Sequence, residues 1–347
     1  MAFIGVDLHT SSFTFCRLQD DGSESFETFT LSASALEAFC LSLDASDEIA
    51  VESTGNTAWF CDEIRACVGR IVVVNPRQFQ VIRKSVNKTD RNDARALAFS
   101  LSKDMLPETR MKSTAEAELS SLVAIRDVFV KQRTMLLNKV HAMFVRRGSK
   151  LKKEGLASKK RLSELDVSQF TALEQVELTA LRNQALGLTE TLAELDKAIE
   201  AAGAALSGHE NICSIKGIGA QSAAILQSGI GNIDDFESAD KLAAYVGIVP
   251  KVSQSNDTDN QGRITKRSNK LMRTTLVQCT LVATRYSGYL NAFYQRIKER
   301  RGAGKAIIAT ARKLLSIIYD TLKNGWVFED LTEFKIKENQ CPAGHSS

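Results

Sequence analysis

Asp7, Glu52, Asp90 and Asp93 are the residues whose types and spacing point most directly to chemistry. Asp7 ends an apolar run, Ile4-Gly5-Val6-Asp7, and Glu52 ends another, Ile49-Ala50-Val51-Glu52. Asp90 and Asp93 sit three apart in Lys88-Thr89-Asp90-Arg91-Asn92-Asp93-Ala94-Arg95, a spacing that puts both on one face of a helix. Carboxylates at two strand ends and two on a helix face can converge on a point, where they repel one another unless cations lie between them. Mg²⁺ is hard and seeks oxygen, so it suits such a pocket, and two such ions form a clamp for phosphoryl transfer. The expectation is a metal-dependent nuclease or recombinase.

Other polar residues are weighed against that group. Lys88, Arg91 and Arg95 flank the two aspartates and suit a site for metal and phosphate. His9, two residues after Asp7, lies on the same side of an extended segment. A local hydrogen-bonding role is expected for it, and contact with the acidic site is the alternative. Ser255 lies in a polar stretch with Arg263, Lys266 and Arg267 following. A serine hydroxyl needs a base, a metal or strong positive charge to act as a nucleophile, and such cations stabilise a phosphoryl transition state. On spacing alone Ser255 is a loop serine, and Ser253 is equally eligible. Lys216-Gly217-Ile218-Gly219 precedes a helical stretch and resembles the turn of a helix-hairpin-helix, where glycines let backbone N–H groups approach a phosphate at a helix N-terminus. A plain turn between helices accounts for it equally well.

Charge is unevenly distributed along the 347 residues. Residues 18–64 hold eleven Asp or Glu and no Lys or Arg. Residues 139–161 hold nine Lys or Arg against one Glu, and residues 262–305 hold eleven against one. Two basic clusters in a chain with grouped carboxylates are the electrostatic footprint of nucleic-acid binding, and Arg146 and Arg147 lie in the first of them. No stretch approaches the roughly 18 apolar residues that span a bilayer, and no signal peptide is apparent, so a cytoplasmic protein is expected. The seven cysteines form no Cys-x-x-Cys pair and the four histidines do not pair with them at ligand spacing, which argues for reduced thiols and against zinc.

The elements that must position the acids follow from periodicity. Residues 2–8, 12–18 and 25–31 read as consecutive strands, then strands at 48–52 and 70–74 alternate with helices at 33–43 and 56–68. That order describes a mixed sheet of ribonuclease-H type, in which ligands gather beyond the strand ends. From about residue 112 the pattern changes. Leu122, Phe129, Leu136 and Met143 recur every seven residues, as do Leu181, Leu188 and Leu195, with Leu178, Ala185, Leu192 and Ile199 on companion positions. These heptads predict an antiparallel coiled-coil hairpin with the basic stretch 146–161 at or beside its tip. Residues 251–263 are polar and read as a loop. The expected class is α/β plus α. A RuvC-like domain occupies 1–110, the hairpin 111–206, a mainly helical C-terminal domain with a helix-hairpin-helix-like element 207–330, and a loose tail 331–347.

The motifs also carry a family resemblance. Val6-Asp7-Leu8-His9, Val51-Glu52-Ser53-Thr54-Gly55 and Lys88-Thr89-Asp90-Arg91-Asn92-Asp93-Ala94 resemble the DEDD transposases of the IS-one-ten insertion-sequence family and the related pilin-gene invertases. Independently, Lys216-Gly217-Ile218-Gly219, Leu242-Ala243-Ala244-Tyr245-Val246-Gly247-Ile248-Val249-Pro250, Gly262-Arg263-Ile264-Thr265-Lys266-Arg267-Ser268-Asn269 and Arg312-Lys313-Leu314-Leu315 resemble that family's second domain. The resemblance implies a RuvC-like domain with Asp7, Glu52, Asp90 and Asp93 as Mg²⁺ ligands, and a serine nucleophile in the loop after Gly-x-x-Pro. Counting from Pro250 gives Ser255. Asn256 stands where the family usually has glycine, and Asn tolerates left-handed backbone better than most residues. Ser253 remains the fallback. The resemblance also implies a homo-oligomer, dimer or tetramer, acting on DNA, in some members with a noncoding bridge RNA as guide. DNA and RNA backbones would lie along the basic tip and the basic helix near 263–273.

Three rivals stand beside this reading. A RuvC-like endonuclease, or a DNA invertase without an RNA guide, would keep the metal site and dispense with one or more of the other features. A sugar-kinase-like phosphotransferase shares Gly5-Val6-Asp7-Leu8-His9-Thr10 but lacks the glycine expected at position 9 and a later Gly-Gly phosphate loop. A non-catalytic nucleic-acid-binding protein would lose no activity on neutralising Asp90.

Overall fold

The computed structural model describes residues 1–75, 79, 89–255, 258–265 and 270–329, with backbone only over 251–263. The chain divides into two compact units, Met1–Met111 and the remainder from Lys112.

Five strands make the sheet of the first unit: β1 (Ala2–Leu8), β2 (Ser12–Gln19), β3 (Glu24–Thr30), β4 (Glu48–Glu52) and β5 (Arg70–Val74). Their spatial order is β3-β2-β1-β4-β5. β1, β2 and β3 form an antiparallel meander, while β4 runs parallel to β1 and to β5. Val6 pairs with Val51, so Asp7 and Glu52 are the next residues along two neighbouring parallel strands.

Helices α1 (Ala33–Leu41) and α2 (Thr57–Ile64) cover one sheet face. There Ile4, Val6, Leu8, Ile49 and Val51 are buried with Phe13, Phe39 and Phe60, whose rings meet Phe13 edge-on at 5.2 and 5.3 Å. Helix α3 (Asp90–Ser102) covers the opposite face, with Leu97 and Leu101 packed on Ala50, Val72 and Val74, and Phe3 at the margin. Side chains alternate along a strand. Phe3, Gly5 and Asp7 therefore share the α3 face, as do Ala50 and Glu52. Gly5 allows α3 to lie directly on β1: a Cβ there would fall 2.0 Å from the Ala94 carbonyl oxygen and 2.4 Å from the Ala98 nitrogen.

The second unit opens with two 33-residue helices, α4 (Thr114–Arg146) and, after a short helix α5 (Lys159–Ser163), α6 (Ala172–Ala204). Each begins with a capping box, Ser113 with Glu116 and Thr171 with Glu174, which satisfies N–H groups that an open helix end would leave unpaired. Ion pairs Arg126–Asp196 and Arg147–Glu174 fix an antiparallel hairpin. Leu178, Ala185, Leu192 and Ile199, seven apart, form the buried row of α6, and Leu181, Leu188 and Leu195 are half-buried beside it. A small core of Phe144, Leu156, Leu162 and Phe170 closes the tip.

At the base of the hairpin, Leu119, Val123 and Ile199 pack on Ala224 and Ile225. The remaining elements are helical except for one hairpin. They are α7 (His209–Cys213), α8 (Ala220–Ile230), α9 (Ala239–Val246), β6 (Pro250–Ser255), β7 (Thr258–Ile264), α10 (Lys270–Tyr286), α11 (Gly288–Arg301) and α12 (Ala303–Asn324). Leu226, Leu242, Leu276, Leu314 and Ile318 form the centre of their shared core.

The polar stretch 251–263, expected as a loop, is instead two paired antiparallel strands, with Ser253 opposite Asn260 and Ser255 opposite Thr258. Its sequence has almost no apolar residues to alternate, so the period-two signal that marks a half-buried strand is missing. Backbone pairing does not require that signal. The expected tail lies outside the described residues. No helix among the described residues is long and apolar enough to cross a membrane.

Candidate metal centre

The centre is built where β1, β4 and the start of α3 come together. Thr89, in extended conformation, caps α3, and its hydroxyl accepts a hydrogen bond from the Asn92 N–H at 3.2 Å. The helix therefore begins at Asp90, and both Asp90 and Asp93 fall in its first turn, where the helix dipole favours negative charge. Asp93 is buried and Asp90 is exposed. Asp7 is buried near the end of β1.

The loops after β1 and β4 are tied together beside these acids. The Thr57 hydroxyl donates to the Glu52 carbonyl oxygen at 2.7 Å and accepts from the Thr54 N–H at 2.8 Å. The Asn56 side-chain amide donates to the His9 carbonyl oxygen at 3.0 Å. The His9 N–H donates to the Ser12 carbonyl oxygen at 2.9 Å.

This clamped backbone presents the His9 ring to the carboxylates. Its Nε2 lies 3.3 Å from Asp7 Oδ2 and 3.5 Å from Asp90 Oδ1. Asp7, His9 and Asp90 each offer a ligand atom, all within 4.8 Å of one another. Burial is the main force that pushes the Asp7 carboxyl above its ordinary range. His9 opposes that shift by attraction and hydrogen bonding, while the charges of Asp90 and Asp93 add to it. An oxygen-rich donor set with one imidazole, in which a buried carboxylate resists ionisation for want of a counter-charge, fits a divalent cation.

A stability prediction follows from the Asp7 shift. A carboxyl with a raised native pKa opposes folding once it ionises. Its contribution to metal-free stability is most favourable below the ordinary aspartate pKa of 3.8 and is lost as pH rises through the raised native value. Asp7→Asn removes that charge. In EDTA at neutral pH the variant melts above the unsubstituted protein, the difference closes as the pH falls toward 4, and saturating Mg²⁺ stabilises only the unsubstituted protein. Thermal melts with and without metal measure all three. A variant that melts lower in EDTA at neutral pH contradicts the assignment of strain to Asp7.

The other sequence-derived candidates fall as follows. Arg91 and Arg95 each place a guanidinium 4.8 Å from the Phe26 ring, and Arg95 also pairs with Glu24 at 2.7 Å. Arg146 is exposed, whereas Arg147 is engaged by Glu174 and lies 5.9 Å from the Phe170 ring. Lys216 is exposed. Gly217 has φ +107°, and a Cβ on it would lie 2.6 Å from the Ala283 nitrogen, so close packing on α10 accounts for this glycine. Gly219 caps α8 with open space around its Cα. Ser255, Ser253 and Arg263 belong to the second unit, with backbone only described. Lys88, Lys266 and Arg267 lie outside the described residues. For His9 the sequence favours a local hydrogen-bonding role, with contact to the acids as the alternative, and the structure brings the ring to the acids. The signal for that contact is the even spacing from Asp7 along an extended segment.

A mixed sheet in this order, with acids at or next to the ends of two neighbouring parallel strands and in the first turn of the helix laid across them, is consistent with a ribonuclease-H-like DEDD transposase. Comparison with known families agrees. Residues 4–146 match the DEDD transposase model for IS110 elements, and residues 209–295 match the model described as Transposase IS116/IS110/IS902 family. The chain belongs to this family of transposases. It is 25% identical over 340 residues to the transposase for insertion sequence element IS1111A of Coxiella burnetii, covering 92% of this chain and 89% of the relative. It is also 25% identical over 347 residues to the pilin gene-inverting protein of Moraxella bovis, covering 94% and 97%. The transposase for insertion sequence element IS1328 of Yersinia enterocolitica is 25% identical, covering 81% and 85%.

Proposed function

We propose that this protein cuts and rejoins DNA as the transposase of an insertion sequence, working in the cytoplasm with Mg²⁺ at Asp7, Glu52, Asp90 and Asp93. The observation that carries the reading is the approach of Asp7, His9 and Asp90 within 4.8 Å at the end of β1, in a chain of transposase family. Mg²⁺ bound there would polarise the scissile phosphate and offset the charge that builds on its oxygens. The four carboxylates would hold the ions, and two of them, Asp7 and Asp93, are buried.

Ser255, by its resemblance to the family serine, attacks phosphorus in line. The Ser255 oxygen–phosphorus bond forms as the phosphorus–3′-oxygen bond breaks. The hydroxyl proton is lost as the leaving 3′-oxygen gains one. After strand exchange a 3′-hydroxyl reverses the linkage, so phosphodiester energy is conserved and no ATP is consumed. Lys88, Arg91, Arg146, Arg147, Lys216, Gly219, Arg263, Lys266 and Arg267 would contact nucleic-acid backbones. The working form is a homo-oligomer, guided by a noncoding bridge RNA encoded with the element.

Ser255→Ala tests the step. With a nicked substrate that traps the intermediate, the unsubstituted protein gives a protein–DNA adduct that survives denaturation. The variant gives at least about 100-fold less adduct while binding DNA normally. Normal recombination by Ser255→Ala removes the serine step and leaves a RuvC-like endonuclease in which water attacks. The pilin gene-inverting relatives favour inversion as a second reading, and recombination by purified protein with no added RNA removes the guide.

A further inference from the structure

We infer that His9 is itself a ligand of the divalent ion and gives the carboxylate site a nitrogen donor that favours Mn²⁺ over Mg²⁺. The inference rests on the reading of Asp7, Glu52, Asp90 and Asp93 as a metal site and adds a residue to it. Adjacent ligands of an octahedral ion at about 2.1 Å stand about 3 Å apart, and opposite ligands about 4.2 Å apart. The His9 Nε2 separations of 3.3 and 3.5 Å from two carboxylate oxygens are close to those of neighbouring vertices of one coordination shell. A small contraction onto a shared ion completes that geometry.

The ring reaches this place through an anchored backbone. The His9 N–H and carbonyl are both taken, by Ser12 on its own turn and by Asn56 from the loop that follows Glu52. A histidine that only decorated the surface would not need its main chain fixed from the two loops that frame the acids. Half of the side chain is exposed, so the ring is not present to fill a core. Imidazole binds transition ions, whose affinities rise above those of hard ions at mixed nitrogen and oxygen sites, whereas Mg²⁺ prefers oxygen and keeps its waters. A site with His9 in its shell therefore separates the two ions, and a site of carboxylates alone does so less.

The test is pulsed electron paramagnetic resonance on the full chain loaded with Mn²⁺, together with Mn²⁺ and Mg²⁺ titrations. The expected spectrum contains coupling from a directly bound ¹⁴N, which disappears in His9→Ala. The same variant loses roughly tenfold or more in Mn²⁺ affinity, while its Mg²⁺ affinity changes little by comparison. His9→Gln, which keeps a polar side chain, behaves like His9→Ala in the spectrum. Bound Mn²⁺ without ¹⁴N coupling in the unsubstituted protein, or coupling that persists in His9→Ala, overturns the assignment and leaves the carboxylate site standing. Failure of the unsubstituted protein to bind Mn²⁺, or binding that survives Asp7→Asn combined with Asp93→Asn, overturns the carboxylate site and the His9 assignment with it.

Discussion

Gly5→Ala will destabilise the first unit and cost at least about 100-fold in strand cleavage, although residue 5 carries no functional group. The new Cβ would stand 2.0 Å from the Ala94 carbonyl oxygen and 2.4 Å from the Ala98 nitrogen. Both are backbone atoms of α3, so no side chain can swing aside, and the helix must lift from β1. Overpacking a core costs about 1–3 kcal/mol, and a clash against two backbone atoms belongs at the upper end of that range. The lift also carries Asp90 and Asp93, in the first turn of the same helix, away from Asp7. A displacement of about 1 Å at a reacting centre can cost on the order of 100-fold in rate. Thermal denaturation and cleavage of a labelled duplex measure the two effects. Native stability with full cleavage in Gly5→Ala refutes the proposed contact between α3 and β1.

Asp93→Asn will abolish cleavage while leaving the fold intact. Asp93 is 5% exposed, and asparagine keeps nearly its shape while removing the charge that the proposed ion would require. Metal stabilisation of transition-state charge is worth several kcal/mol, and each 1.36 kcal/mol is tenfold in rate, so a fall of about 1,000-fold or more is expected. EDTA should reproduce the loss in the unsubstituted protein, and added Mg²⁺ should restore only that protein. Circular dichroism of Asp93→Asn should match the unsubstituted trace. Cleavage within tenfold of normal in this variant removes Asp93 from the metal site.

The first unit is readable in the sequence because its signals are local. Apolar runs that close on a single acid mark a buried strand and place a carboxylate near its end, as at Val6-Asp7 and Val51-Glu52. A threonine cap followed by two acids in one turn marks the start of α3. What escaped the reading depends on distant partners. A glycine inside a strand signals weakness or close approach without saying to what, so the contact of Gly5 with Ala94 and Ala98 appears only in three dimensions. The same holds for Gly217, which the motif assigns to phosphate approach and the structure packs against Ala283. The hydrogen bond that Asn56 donates to the His9 carbonyl joins positions 47 residues apart. The β6–β7 pairing has no apolar alternation to announce it. Ser255 was singled out by family resemblance, since spacing alone does not distinguish it from Ser253.

The long hairpin sets a distance. Its two helices have 33 residues each, and at 1.5 Å per residue they span about 50 Å. At 3.4 Å per base-pair step this is roughly 15 base pairs. A duplex lying along the hairpin and touched both by the basic tip and by the helices at its foot would be gripped at two stations about one and a half turns apart. On that placement the helix length would set the spacing of the two stations, and adding or removing heptads would alter it in steps of about 10 Å.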